Sequence, residues 1–391
     1  MKKTYFIFSL LLVFTSCKQE PADLVIINSN TYTVNSTFEK VTAFAIKDGK
    51  FIGIGTDQEM LKRYKALKTV DAKNKTILPG LIDAHCHFYR MGLQQQKVSL
   101  EGTKSYDEVL AKIVAFQKEK KVAFITGRGW DQNDWEVKAF PTKDKLDALF
   151  PNTPVAVGRV DGHALLVNQA TINLSGITKD TKVTGGEIIL KNGIMTGVLI
   201  DAAMDFVKFP STTKQEAIQG LLDAQKISFS YGLTTVDDAG LGRQTIELID
   251  SLQKTNALKM RIYAMVSGDT QENLDYYIQK GIVKTDRLHV RSFKIYGDGA
   301  LGSRGAAMRT PYADRENHFG ALIYPAKRYQ EIAKQIAASD YQMNTHAIGD
   351  SANTWMLKTY KEVLANTKNR RWRIEHAQIV APEDFKNFDN I

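Results

Sequence analysis

From Ile77 onward, short apolar runs alternate with amphipathic stretches, and no other feature of this 391-residue chain constrains its fold as tightly. The strand candidates are ILPGLIDAHCHF, GLTTVDDAG, MRIYAMVSGD, VRSFKIYGDG, QMNTHAIGD and WRIEHAQIV. Between them lie helical stretches such as TKQEAIQGLLDAQKISFSYG and PAKRYQEIAKQIAASDY. Strands that alternate with helices make parallel βα units. Polar residues crowd the C-terminal ends of these strands, which is where a (β/α)8 barrel keeps its active site. The expected fold is α/β: an incomplete TIM barrel, with strands 1–6 present in residues 77–391. Roughly residues 93–227 separate the first strand from the second. So long an interval without structure of its own is improbable, so it reads as an α/β insertion after strand 1, capping the barrel mouth.

Residues 23–76 form a smaller β-rich part, read as a β-sandwich placed before the barrel. There, Asp48-Gly49 sits between two alternating apolar runs as a hairpin turn. DQEMLKRYKALK (57–68) predicts a short helix, and a strand follows over Thr69–Asp71. The first residues, MKKTYFIFSLLLVFTSC, place two lysines before an apolar stretch too short to span a bilayer, followed by small residues and Cys17. Residues 1–16 read as a signal peptide, Cys17 as the lipidated residue after a lipobox, and 17–22 as a tether. The expected location is the periplasm or outer membrane of a Gram-negative bacterium, with the membrane contacted through the lipid anchor alone. Cys86 would then be the sole remaining thiol, so no intrachain disulfide is expected.

The formal charge is +9, but Lys2 and Lys3 belong to the leader, and no basic patch is interleaved with aromatic residues. The basicity reads as a solvated surface, and no nucleic-acid partner is expected.

The chemistry starts at His85-Cys86-His87. On a strand, residues i and i+2 share a face, so the two imidazoles point together while Cys86 points away. Neutral imidazole suits zinc and similar metals. His346 and His376 end two later strands, and Lys294 lies inside an apolar one. A strand-interior lysine is ordinarily a buried ion pair or an edge charge. Four histidines and a lysine, all toward strand ends of one barrel pattern, are harder to explain separately.

LPGLIDAHCHF, GRGWDQNDW, DGHALLVNQ, KIYGDGALGSRGA, THAIGD and RIEHAQ together resemble the amidohydrolase superfamily, in its amidohydrolase-3 (YtcJ-like) branch, which includes N-substituted formamide deformylase. The resemblance runs from Asp23 to Ile391. It implies metal ligation by His85 and His87 from strand 1, by Lys294 from strand 4 as a carbamate, and by His346 and His376 from strands 5 and 6. It also implies one or two divalent ions, zinc in the first instance, that activate a water. An aspartate after strand 8 would then move the proton.

No such aspartate is found. Asp237, Asp238, Asp298 and Asp350 follow strands 2, 4 or 5, so the expectation is a chain truncated before strands 7 and 8, without its catalytic aspartate and inactive as it stands. Trp130, Asp131 and His163 of the insertion, and Ser303 and Arg304 of a Gly-rich loop, are expected to contact substrate. Asp298 and Asp350 are expected to orient the ligands. The implied activity is hydrolysis of non-peptide, amide- or formamide-like C–N bonds in a small molecule. The alternatives are a cyclic amide or ester hydrolase, a deaminase, or a non-catalytic surface lipoprotein. A homo-oligomer is admissible.

Overall fold

The computed structural model describes residues 19–183, 186–301, 304–313, 315–367 and 369–389. The chain divides between Leu81 and Ile82 into two compact units. In the first, Glu20–Ile27 runs antiparallel to Ala43–Lys47 and parallel to Tyr64–Asp71, and Lys50–Gly55 completes a four-stranded sheet. Three short strands, Lys40–Val41, Asn30–Tyr32 and Thr76–Ile77, make a second sheet. In the expected hairpin Lys47 pairs with Lys50, while Asp48 (φ 51°) and Gly49 (φ 72°) both take the left-handed backbone of a type I′ turn.

The helix expected over 57–68 is shorter. It spans Asp57–Arg63 behind a Thr56/Glu59 capping box, and the chain then runs directly into the Tyr64–Asp71 strand. Tyr64 is buried and its hydroxyl donates to the Ile52 carbonyl at 2.6 Å. Pairing from Glu20–Tyr64 through Ile27–Asp71 overrides the helix propensity of the Lys-Ala-Leu-Lys stretch.

The barrel sheet of the second unit runs through six strands in the order of the sequence, β1 (Leu81–Cys86), β2 (Leu233–Leu241), β3 (Arg261–Ser267), β4 (Leu288–Tyr296), β5 (Gln342–Ala347) and β6 (Arg373–His376), with the short strand Val283–Lys284 paired antiparallel to β4. The pairs from β2 to β6 are all parallel, and the sheet curls into a nearly closed barrel. Side chains bridge its two ends: Arg373 on β6 donates to the Ala84 carbonyl on β1 at 3.0 Å and pairs with Asp237 on β2 at 3.1 Å.

Helices α1 (Phe88–Gln94), α2 (Lys214–Ser230), α3 (Arg243–Lys254), α4 (Gln271–Lys280), α5 (Ala326–Ala337) and α6 (Asp350–Val363) join these strands. Their apolar stripes, such as Tyr329, Ile332, Ala333 and Ile336 of α5, enter the core that the strands build with Val266, Phe293 and Met343. α1 and α2 meet at glycines: a Cβ on Gly92 would lie 1.9 Å from the Gly220 carbonyl oxygen.

Between β1 and β2 a six-stranded sheet forms from elements lying between Val98 and Asp201, with helices Tyr106–Lys120, Asp144–Leu149 and Gln169–Ser175 beside it. It has its own apolar core around Leu100, Ile113, Trp130 and Val157. Among the described residues no helix is long and apolar enough to cross a membrane.

Candidate metal centre

His85 closes β1 one residue before its end, and His87 is the residue that caps α1. Their rings stand 5.8 Å apart, centre to centre. The His376 ring lies 4.8 Å from that of His85 and 4.6 Å from that of His346. The barrel thus brings four imidazoles from β1, the turn after it, β5 and β6 into one cluster. His376 and Ala377 carry left-handed φ angles of 74° and 43°, an uncommon backbone for residues other than glycine and one that recurs at functional sites.

His85 is anchored on one side. Its Nδ1 is hydrogen-bonded to the Glu375 carboxylate, and its Nε2 is buried with no hydrogen-bond partner. Glu375 takes two further bonds from Arg373, at 2.7 and 2.6 Å. Burial alone would raise the Glu375 carboxyl, but the His85 hydrogen bond and the Arg373 charge hold it below the ordinary carboxylate range. Burial, with His346, His85 and Lys294 nearby, brings His376 down to about 4, so its ring is neutral.

Lys294 is 1% exposed on β4. Burial brings it down to about 8, and among the described residues no carboxylate lies within ion-pair distance of it. Its ammonium stands 4.7 Å from the Tyr296 ring centre. Cys86 turns to another environment, with Sγ 3.6 Å from the Asp237 carbonyl oxygen, and burial pushes the thiol up to about 12.

These donors suit a divalent metal in kind: neutral imidazoles, one of them with an orphaned buried nitrogen held in place by a carboxylate behind it. As they stand, the described His, Cys, Asp and Glu side chains do not form a finished cage of three or more.

The strand-end carboxylates are otherwise engaged. Asp298 is 1% exposed; it accepts backbone N–H bonds from Ala307, Ile348 and Gly349 at 2.8–2.9 Å and lies 3.4 Å from His346 Nε2. Burial would raise it, but the His346 bond and these amides keep it below its ordinary value. Asp238 accepts the Tyr89 amide at 2.9 Å, and burial pushes it up to about 7. Asp350 holds the amides of Arg309 and Ser351, each at 2.9 Å, and makes no hydrogen bond to the histidines among the described residues. Both bonds pin the start of α6.

Trp130 is fully buried in the core of the insertion, where its indole donates to the Val157 carbonyl at 2.8 Å. Asp131 pairs with Arg159 at 2.6 Å and caps a short turn through the Asn133 amide. His163 lies on an exposed turn where its amide donates to Asp161 at 3.0 Å. Arg304 has a φ of 58°, and its carbonyl is bonded to His318 Nε2 at 2.8 Å. Ser303 and Cys17 lie outside the described residues. Glu375 and Arg373 were not anticipated, although their i, i+2 spacing beside His376 sets both on one face of β6.

Comparison with known proteins adds the family. The chain is 31% identical to the protein LONG AFTER FAR-RED 3 of Arabidopsis thaliana, over 95% of this chain and 67% of that one. It is 27% identical to the putative amidohydrolase YtcJ of Bacillus subtilis, over 90% and 68%. It is 24% identical to the N-substituted formamide deformylase of Arthrobacter pascens, over 91% and 69%. A metal-dependent hydrolase from Pyrococcus furiosus shares the fold, with a TM-score of 0.75 at 24% identity over 93% of this chain and 74% of that one. Residues 68–391 match the amidohydrolase family (Amidohydro_3), and with its histidines gathered at one end of a parallel-strand barrel, this chain belongs to that family.

Proposed function

We propose that the protein hydrolyses non-peptide carbon–nitrogen bonds of the amide or formamide type. The observation that carries this reading is His85, fixed through Nδ1 by Glu375 while Nε2 has no partner, amid three further imidazoles. The formamide preference draws on the likeness to a formamide deformylase, which extends over most of the chain.

His85, His87, His346, His376 and Lys294 would hold the metal, proposed as zinc, which when bound lowers the pKa of water and polarises the scissile carbonyl. Glu375 accepts the Nδ1 proton and so keeps His85 in the tautomer whose Nε2 offers its lone pair, and Arg373 keeps Glu375 ionised. Desolvation of Lys294 favours its neutral amine. A neutral amine adds to carbon dioxide through nitrogen and releases a proton, which gives a carbamate with two oxygen donors.

Metal analysis and turnover on a panel of N-substituted formamides, amides and esters test the proposal. Bound zinc and formamide cleavage that chelation stops and zinc restores are expected. Turnover that survives chelation, or cleavage of esters alone, would sink it. Export and anchoring through Cys17 complete the proposal; Cys17→Ala should abolish lipid labelling and release the protein from membranes, and unchanged fractionation would count against an anchor there.

A further inference from the structure

A cleft of about 640 Å3 runs beside α1, between it, the loop before α2 and the face of the insertion's sheet. Arg90, Lys97 and Arg128 all stand on its walls. All three are exposed, and among the described residues none is paired with a carboxylate. The one carboxylate on the wall is Glu216, and it is committed elsewhere: it accepts from the Thr213 amide and hydroxyl, both at 2.8 Å, at the N-terminus of α2. Arg128 is fixed by one bond, to the Val160 carbonyl at 2.8 Å. A guanidinium carries five N–H donors, so most of its fork stays available.

The remaining wall is of two kinds. Phe124, Leu165 and Phe209 supply apolar surface, while Gly158 leaves the strand face low beside the Arg128 stem, where a Cβ would stand 3.6 Å from Arg128 Cγ. Three like charges around one concave, partly apolar space raise its positive potential, and a bound anion offsets that cost. One wall of the cleft begins close to the histidine cluster along α1: Arg90 stands three residues, one helical turn, beyond His87, and its charge bears on His87 and Lys294. The volume is that of a small-molecule site.

From this geometry we infer that the cleft binds the acid group of the substrate, a carboxylate or phosphate carried on an apolar body, and so selects anionic substrates. This names the substrate class of the hydrolase proposed above; whether the anion binds does not depend on turnover.

Calorimetric titration of the full chain with phenylacetate, phenyl phosphate and neutral phenylacetamide tests it. At least one anion should bind roughly tenfold or more tightly than the amide, with affinity falling as salt is added. Arg128→Gln and Lys97→Gln should each weaken the anion roughly tenfold, as expected for loss of a charged hydrogen-bond donor, and Arg128→Lys should weaken it less. The ratio of the two acids tells carboxylate from phosphate. Equal binding of amide and acids, no binding of either acid, or wild-type affinity in both glutamine variants would overturn the inference; the last places any anion at the histidines instead. Zinc content and formamide turnover, measured on the same samples, report separately on the hydrolase reading.

Discussion

His85 gives one ring nitrogen to Glu375 and keeps the other buried and unpartnered, so a residue on β6 decides how a residue on β1 presents itself. Glu375→Ala should lower metal affinity by roughly 10–100-fold, the usual effect of removing a carboxylate behind a ligating histidine. Glu375→Gln should do less harm, because its amide oxygen can still accept the Nδ1 proton. The check is a zinc competition titration with circular dichroism to confirm the fold. Unaltered affinity in Glu375→Ala would mean that the ring is held by something else.

Lys294 should carry the mass of one carbon dioxide when the protein is purified and analysed under bicarbonate. Lys294→Ala should lose metal and turnover, with part of both restored by formate or acetate. A high-resolution map showing a bare ammonium beside a fully bound metal would contradict the carbamate.

Gly92→Ala should be destabilising by about 1–3 kcal/mol or more, the range for overpacking a tight contact. The added methyl would stand 1.9 Å from the Gly220 carbonyl, and backbone cannot yield as a side-chain tip can. A urea midpoint unchanged from wild type would show that α1 and α2 do not approach as described.

Asp238 gives a pH dependence whose sign follows from its burial. Its carboxyl is raised to about 7 in the fold, while the unfolded chain releases the same proton near an ordinary aspartate value of about 3.9. Between those values the native state binds more protons than the unfolded one, so this group's contribution to stability is full below about 4 and is lost as pH rises to about 7. Asp238→Asn keeps an acceptor for the Tyr89 amide and removes the ionisation. Its stability should therefore fall less than that of wild type across this window in urea titrations at stepped pH. Parallel slopes would show that Asp238 does not titrate there.

Much of this site can be read along the chain because strand chemistry is periodic. His85, His87, His346 and His376 stand out by their places at the ends of apolar runs, and Lys294 by its place inside one. Arg373 and Glu375 escaped notice because charges on a short strand look alike until the barrel curls and sets β6 against β1. Trp130 shows what the chain alone leaves open: its indole N–H meets a backbone carbonyl inside the insertion, and the ring can then be buried whole. The helix at Asp57 was overextended because nothing local in Lys-Ala-Leu-Lys announces a partner strand some forty residues earlier.

The His85–Glu375 contact closes across 290 residues, with the whole insertion lying between β1 and β2. During synthesis the insertion's strands, which pair only among themselves, can be folded while β6 has yet to be translated. His85 and His87, the first residues of the proposed metal site, therefore leave the ribosome early, and the His85 ring has no Glu375 to hold it until residue 375 emerges. On the proposed reading, a metal supplied before that moment would meet an incomplete set of ligands, and loading would belong to the end of biosynthesis, after β6 has joined the sheet.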